Sequence, residues 1–447
     1  MVRHRRRIGL AVGGCATALA LWWAKPVDRA QSEAAQLSPV DRQYFASLAK
    51  LVQASPSGAL PCAVIDLTRL DANLAKARAA LSADQRLRIV VKSLPSIGLI
   101  RYLLVRSGSR ELMVFHAPQV PLLLRELADL GSVDILLGKP APAASAEQVL
   151  TQLPEAAQRV SWLIDDAQRL RAYREVARKS GLRLRISIEL DVGLHRGGVR
   201  TEAELLELLD EIAASPSELT LSGFMGYDGH VPHAPGWNKR QAIQQALVAV
   251  QTRYRQFYDA AKAHAPQWFA TAKDAPRLAF NSGGSKTLPL YAGLPTVVND
   301  LAMGSGLVRP AHFSDEALAD FVPALWLAVP VLKKQVAPPL PFLDGLWGLF
   351  RFWDPNLAVG FFLYGGTWDA PIVYPLGLRP GPYNDGPIRN LLPNQQLLTG
   401  SQHVLAEVGS VVLLHPREAD NFAALSDLYA IRGEHIEARW QPLSPLN

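Results

Sequence analysis

Cysteine is nearly absent: the 447 residues hold two, Cys15 and Cys62. Cys15 lies in an apolar stretch at the start, so a processed chain would keep Cys62 alone and could form no intramolecular disulfide framework. Cysteine usage therefore does not reveal the redox compartment. An excess of charge of one sign is also missing. Lys and Arg number 46 against 40 Asp and Glu, a formal +6, of which Arg3, Arg5, Arg6 and Arg7 supply four; 6 − 4 leaves +2 for the body of the chain. A body that close to neutral excludes a nucleic-acid surface. Fixed-period repeats and low-complexity tracts are lacking after the first segment, which argues against a repeat array.

What is present is a chain 49% hydrophobic and 19% charged, long enough for a full-sized core and two domains. It begins with the basic cluster Arg3 to Arg7 and an uncharged run from Ile8 to Ala24, broken by Lys25-Pro26. That is the pattern of a signal n-region and h-region, marginal in length for a spanning helix and compatible with a twin-arginine signal. Residues 1–25 are read as a signal peptide or membrane anchor. The implied location is exported, either periplasmic or anchored in the inner membrane and facing the periplasm. Residues 26–60 read as a linker and lead-in with a helix through Tyr44 to Val52.

From Pro61 short apolar runs alternate with amphipathic helical stretches. Strand candidates are Cys62–Leu67, Leu87–Val91, Leu112–Phe115, Val133–Leu137, Val160–Ile164, Leu184–Leu190, Leu219–Tyr227, Leu278–Asn281 and Thr296–Leu301. Strand–helix alternation of this length implies a parallel sheet covered by helices. If the first strand belongs elsewhere, eight remain, the count for a closed (β/α)8 TIM-type barrel over 61–310. From 311 to 447 prolines and aromatics crowd together, and strand-like runs such as Val408–Leu414 and Leu428–Arg432 follow. Arg432-Gly433-Glu434 reads as a hairpin turn. This is a β-rich C-terminal domain.

Several chemistry-bearing residues fall at the carboxyl ends of the expected barrel strands, where barrel active sites are built. Lys92 ends the first barrel strand. Burial there would lower its pKa and expose a nucleophilic amine, whereas a lysine that snorkels out is the plain alternative. Asn281-Ser282-Gly283-Gly284-Ser285-Lys286-Thr287 follows strand seven, and Met303-Gly304-Ser305-Gly306 follows strand eight. Loops at those two positions commonly form phosphate sites from glycine-exposed N–H groups and hydroxyls. A phosphate grip of Ser282, Gly283, Gly284, Ser285, Gly304 and Ser305 facing a strand-end lysine is the layout expected for pyridoxal 5'-phosphate.

The ordered set of that lysine, Glu-Leu-Asp-Val-Gly-x-x-Arg-x-Gly-Val (Glu189 to Val199), Gly-x-x-Gly-Tyr-x-Gly-His (Gly223 to His230), Ser-Gly-Gly-Ser-x-Thr (Ser282 to Thr287) and Gly304-Ser305 resembles the fold-type III pyridoxal phosphate enzymes. Within them it resembles the D-threonine aldolase and D-serine dehydratase-like group, relatives of alanine racemase. The resemblance spans about Pro61 to Trp440. It implies that Cys62–Leu67 pairs with the C-terminal domain and that Lys92 carries the cofactor as a Schiff base. It places the Arg196 guanidinium near the pyridine nitrogen and Tyr227 near cofactor and substrate. Two alternatives stay open: Arg196 as an ion-pair partner of Glu189 or Asp191, and Tyr227 as a core tyrosine with its hydroxyl satisfied. Asp228 and His230 read as orienting or turn residues, and His195 as a flank of the ring or an exposed loop residue.

The resemblance also implies a metal site of a histidine, one intervening residue, then cysteine or aspartate. Here His415 would register with Arg417, and a guanidinium cannot bind a divalent cation. The shifted pair Glu418 and Asp420 offers only oxygens, suited to a harder ion than zinc or simply to a helix start. A divalent metal is thus in doubt. The expected activity is that of a lyase on a D-amino acid or small β-hydroxy amino acid, with an amino-acid racemase or a non-catalytic cofactor-binding protein as alternatives. Relatives range from monomers to dimers, so a homodimer stays open.

Overall fold

The computed structural model describes residues 25–55, 60–94, 96–270, 277–381, 395–419, 425 and 427–443. The leader through Ala24, Pro95 and Asp420 lie outside the described residues. The chain forms two compact units. One runs from Ile65 to Leu325 and adds Arg417–Gly433 and the residues from Glu437 on. The other takes the residues up to Val64, Trp326–Pro416 and Glu434–Ile436.

The first strand, β1 (Cys62–Asp66), is buried along its whole length. Eight further strands close the barrel: β2 (Arg86–Val90), β3 (Glu111–Val114), β4 (Asp134–Leu137), β5 (Val160–Ile164), β6 (Leu184–Glu189), β7 (Leu219–Met225), β8 (Ala279–Ser282) and β9 (Asp300–Met303). All neighbours are parallel, and β2 closes on β9 with Arg86 opposite Asp300 and Ile89 opposite Met303. The runs are buried on both faces, which is why they read as continuous apolar segments rather than alternating ones. Gly223 in β7 has no room for a side chain, because a Cβ would stand 2.1 Å from the Ala279 carbonyl oxygen of β8.

Local signals fix the helices between them. Asp166 caps Ala167–Ser180 by accepting from Arg169 N–H, and Gly181 ends that helix in the left-handed region. Thr201 and Glu204 form a capping box at the start of Glu202–Ala213.

Strand eight of the barrel begins at Asp300, four residues after the expected Thr296. Thr296 Oγ1 accepts from Val298 N–H, and the Asn299 side chain bonds Phe280 N–H and the Leu278 carbonyl. The β-branched run is thus spent on a turn before the ladder starts. The barrel unit also extends past the expected boundary at 310. Asn73, buried on Leu67–Ala79, donates to the carbonyls of Leu307 and Val322 and accepts from Val322 N–H, tying that stretch to the barrel.

In the second unit, β10 (Leu325–Val336) pairs antiparallel with β11 (Val359–Leu363) and β15 (Val411–Leu414). In turn β11 pairs with β14 (Gln396–Gly400), β14 with β13 (Arg379–Pro380), and β15 with β12 (Ile372–Tyr374). β1 lies beside β10, as the resemblance implied. The expected linker carries two helices, Arg29–Gln36 and Pro39–Gln53. The second packs Phe45 edge-on against Trp326, ring centres 5.1 Å apart. The final hairpin, β16 (Leu428–Arg432) and β17 (His435–Trp440), turns at Gly433 with φ 58°.

Candidate active site

A cavity of about 260 Å³ opens at the carboxyl ends of the barrel strands, near the low end of the roughly 300–1,000 Å³ usual for ligand pockets. Lys92, Arg196, Tyr227, Gly283, Gly284, Ser285, Gly304 and Ser305 all line it. Eight of the nine residues singled out in sequence therefore share one cavity.

Lys92 arrives by a different route from the expected one. β2 stops at Val90, and Lys92 belongs to the single 3-10 turn Val91–Ser93 that follows. Its side chain is exposed, so burial does not strip the amine of solvent. Its Nζ stands 5.3 Å from the centre of the Phe115 ring.

Opposite it, the two glycine loops are joined through one hydroxyl. Ser285 Oγ accepts from Gly306 N–H at 2.8 Å and from Gly304 N–H at 3.4 Å. Ser305 Oγ bonds Ser93 Oγ at 2.8 Å, linking the last barrel strand to the turn that carries Lys92. Ser282 is the exception among the expected residues. It is buried and does not line the cavity; its hydroxyl donates to the Gly226 carbonyl and meets the Tyr291 hydroxyl at 2.9 Å. With its one hydroxyl engaged twice, it braces the loop from behind instead of facing a ligand.

Arg196 meets both of its readings at once. Its Nη2 donates to Glu189 Oε1 at 3.0 Å, while its guanidinium lies 4.9 Å over the Tyr227 ring and lines the cavity. Burial raises the Glu189 pKa, with Arg196 opposing. Tyr227 is partly exposed, and its pKa is raised by burial and by Asp228. A tyrosine so placed holds its proton at neutral pH and acts as a donor.

Asp228 is fully buried and accepts from Thr287 Oγ1 and Tyr291 Oη, both at 2.7 Å. Burial raises its pKa, against the pull of those hydrogen bonds. It is an orienting residue: one carboxylate holds the loop after β8 at two points. His195 is largely exposed, bonded through Nδ1 to Asp191, and does not line the cavity.

Sequence reading missed Phe115 and Tyr291, and named Asn281 only as the start of the loop after strand seven. Asn281 lines the cavity and donates to Asp300 Oδ1 at 2.6 Å. Gly138, after β4, was the available signal for Phe115, since a Cβ there would stand 2.4 Å from that ring.

Residues 65–271 match the family described as alanine racemase, N-terminal domain. That match takes in β2 to β7 of the barrel. Among curated proteins, 3-hydroxy-D-aspartate aldolase from Paracoccus denitrificans is 26% identical over 57% of this chain and 61% of its own length. A second protein of that name and species is 27% identical over 38% and 43% respectively. The matching segments thus span less than two thirds of either relative.

Solved structures cover more. D-threonine aldolase from Filomicrobium marinum aligns with a TM-score of 0.63 at 16% identity, over 86% of this chain and 95% of that one. D-threo-3-hydroxyaspartate dehydratase from Delftia sp. HT23 gives 0.62 at 16%, over 87% and 98%. Alanine racemase from Bacillus anthracis gives 0.58 at 13%, over 87% and 99%. At these identities the likeness shows a shared fold.

For a metal, the described residues hold no group of three or more His, Cys, Asp or Glu side chains that could bind one. Glu418 Oε1 is bonded to His312 Nδ1 at 3.1 Å, and the His415 ring packs on Trp326, centres 5.0 Å apart.

Proposed function

We propose that this chain is a pyridoxal phosphate-dependent lyase acting on a D-configured or small β-hydroxy amino acid. One observation carries the reading: an exposed lysine just past the first barrel strand shares a cavity with two glycine loops tied together by Ser285. The residues present fit the cofactor. A Cβ at Gly304 would lie 2.8 Å from Val90 Cβ, so only backbone fits there, and one at Gly284 would crowd the Tyr227 ring at 3.1 Å. Such loops suit an anionic group.

Bound there, the cofactor supplies an electron sink for bonds breaking at the substrate Cα. The chain supplies the rest. Lys92 Nζ would hold the cofactor, and its amine would accept or return a proton at the substrate. Arg196, kept in place by Glu189 and stacked on Tyr227, is a permanent cation that disfavours a proton on a neighbouring ring nitrogen. Tyr227 Oη, holding its proton, would donate to an oxygen of substrate or leaving group. Asp228 acts through Thr287 and Tyr291, fixing the loop that would receive the phosphate.

The substrate class follows from what the relatives' names share: 3-hydroxy-D-aspartate, D-threo-3-hydroxyaspartate and D-threonine are D-amino acids hydroxylated at C3. A divalent metal at Glu418 would have to displace its bond to His312. The basic cluster and apolar run at the start support export or a retained anchor.

Purified protein is expected to show a visible cofactor band that borohydride bleaches and that Lys92→Ala loses. Lys92→Ala with the band unchanged would sink the assignment. D-threonine, D-serine and 3-hydroxy-D-aspartate, each with Mn2+ or chelator, then read the reaction. Interconversion of D- and L-alanine with no cleavage of any of the three would make the chain a racemase.

A further inference from the structure

An exposed apolar cluster surrounds the second unit's short helix, Trp347–Trp353. Phe342, Leu346, Leu349, Phe350 and Trp353 are all exposed. Phe342 stands in the turn before the helix with φ 70°, Leu346 ends the 3-10 turn Asp344–Leu346, and the other three lie on the helix itself. Phe352, beside them, is 81% exposed, and Phe342 is 98% exposed. The helix is anchored by buried Trp347, which donates through Nε1 to the Ala337 carbonyl and packs its ring against Phe350, centres 5.9 Å apart. Side chains of this size, clustered rather than scattered, mark a surface that meets something apolar.

What it meets is indicated by the point where the chain enters the described structure. Lys25 Nζ lies 5.4 Å over the Phe352 ring. The next residues are pinned beside the cluster: Asn356 donates to the Val27 carbonyl and accepts from Arg29 N–H. Asp28 accepts from Ser401 Oγ and bonds His403 Nδ1. Immediately before Lys25 stands the uncharged run Ile8 to Ala24, preceded by the basic cluster Arg3 to Arg7. In sequence that run therefore ends directly before Lys25, the residue that meets Phe352.

We propose that the face formed by Phe342, Leu346, Leu349, Phe350, Phe352 and Trp353 seats in the interfacial layer of a lipid bilayer, beside the entry of the N-terminal segment. Its chemistry suits that layer. Trp favours the headgroup level, Phe and Leu suit the apolar face that an interfacial element buries, and Lys25 and Arg351 add cations next to them. Nearby Asp354 is already neutralised by Arg379. Among the described residues no helix is long and apolar enough to cross a membrane.

The test uses the full chain with Cys15→Ser and Leu349→Cys, labelled at residue 349 with an environment-sensitive fluorophore. Cys62 is buried and serves as an unreactive background. The protein is reconstituted into phosphatidylethanolamine–phosphatidylglycerol vesicles, with Phe352→Cys as a second reporter. Acyl-chain spin-labelled lipid is expected to quench the probe several-fold more strongly than aqueous iodide does. Quenching by iodide and not by lipid would overturn the proposal. Protection from both would overturn it too, since the face would then be covered by the chain itself or by a second copy.

Discussion

Arg88 and Lys92 stand four residues apart on one barrel strand and the turn that follows it, and they meet opposite conditions. Arg88 is fully buried. It donates to both oxygens of Asp300 at 2.8 and 2.6 Å and to the Leu112 carbonyl, and lies 3.0 Å from Asp134. Burial works against its charge, and Asp300 and Asp134 overcome that, raising its pKa. Lys92, at the mouth, is exposed and faces an aromatic ring. The interior spends its charges on one another, while the mouth leaves a cation accessible to a ligand. Charge at a barrel strand is therefore no guide to chemistry by itself; the partners decide.

The largest effect expected from that contrast is on turnover. Lys92→Ala should cut lyase activity by about 10²–10⁴-fold, with thermal stability moved by no more than about 0.5 kcal/mol, as for an exposed residue. Activity assays paired with denaturant unfolding check it. Arg88→Ala should do the reverse, destabilising by about 3–5 kcal/mol because Asp300 and Asp134 are left without their partner. Loss of activity in Arg88→Ala at full stability would break the comparison, because the interior would then be reaching the chemistry directly.

Between the two lies Glu189→Gln, which frees Arg196 at the mouth without emptying the cavity. Arg196 is 44% exposed, so the charged hydrogen bond is discounted to about 1.4 kcal/mol, near tenfold in kcat/KM. The Arg196→Lys change, which keeps charge and loses the planar fork, should cost as much.

The barrel was legible because its buried parallel strands read as apolar runs whatever their neighbours, and the glycine loops because both fell at prescribed strand ends. Less was legible where a residue's use depends on a partner far away in the chain. Arg88 looked like one more residue in an apolar run, since Asp300 and Asp134 are set beside it only by barrel closure. Ser282 looked like a ligand group until Gly226 and Tyr291 took its hydroxyl. Lys92 was left between a buried amine and a lysine that snorkels out, because strand length alone does not tell whether the last residue turns in or out; its exposure matches the second.

The most discriminating prediction is a sign, and its effect is the smallest. In the interior, burial pushes the Asp134 pKa up, but Arg88 and Arg185 prevail and hold it below the ordinary 3.8. A carboxylate lowered on folding adds stability above its unfolded pKa and loses it as pH falls through the folded value. At the mouth, burial raises Asp228 above 3.8 despite its hydrogen bonds, and raises Glu189 above 4.5 despite Arg196. There the folded state binds the proton more readily, so stability falls as pH climbs from the unfolded values through the raised ones. Asp134→Asn should flatten the loss of stability on the acid side of pH 3.8. Asp228→Asn should flatten the decline on the other side of it, toward neutrality. Unfolding measured by denaturant across pH for both variants would show this. If both flatten the same limb, the two ends of the barrel are tuned alike, and the division between a neutralised interior and a strained mouth fails.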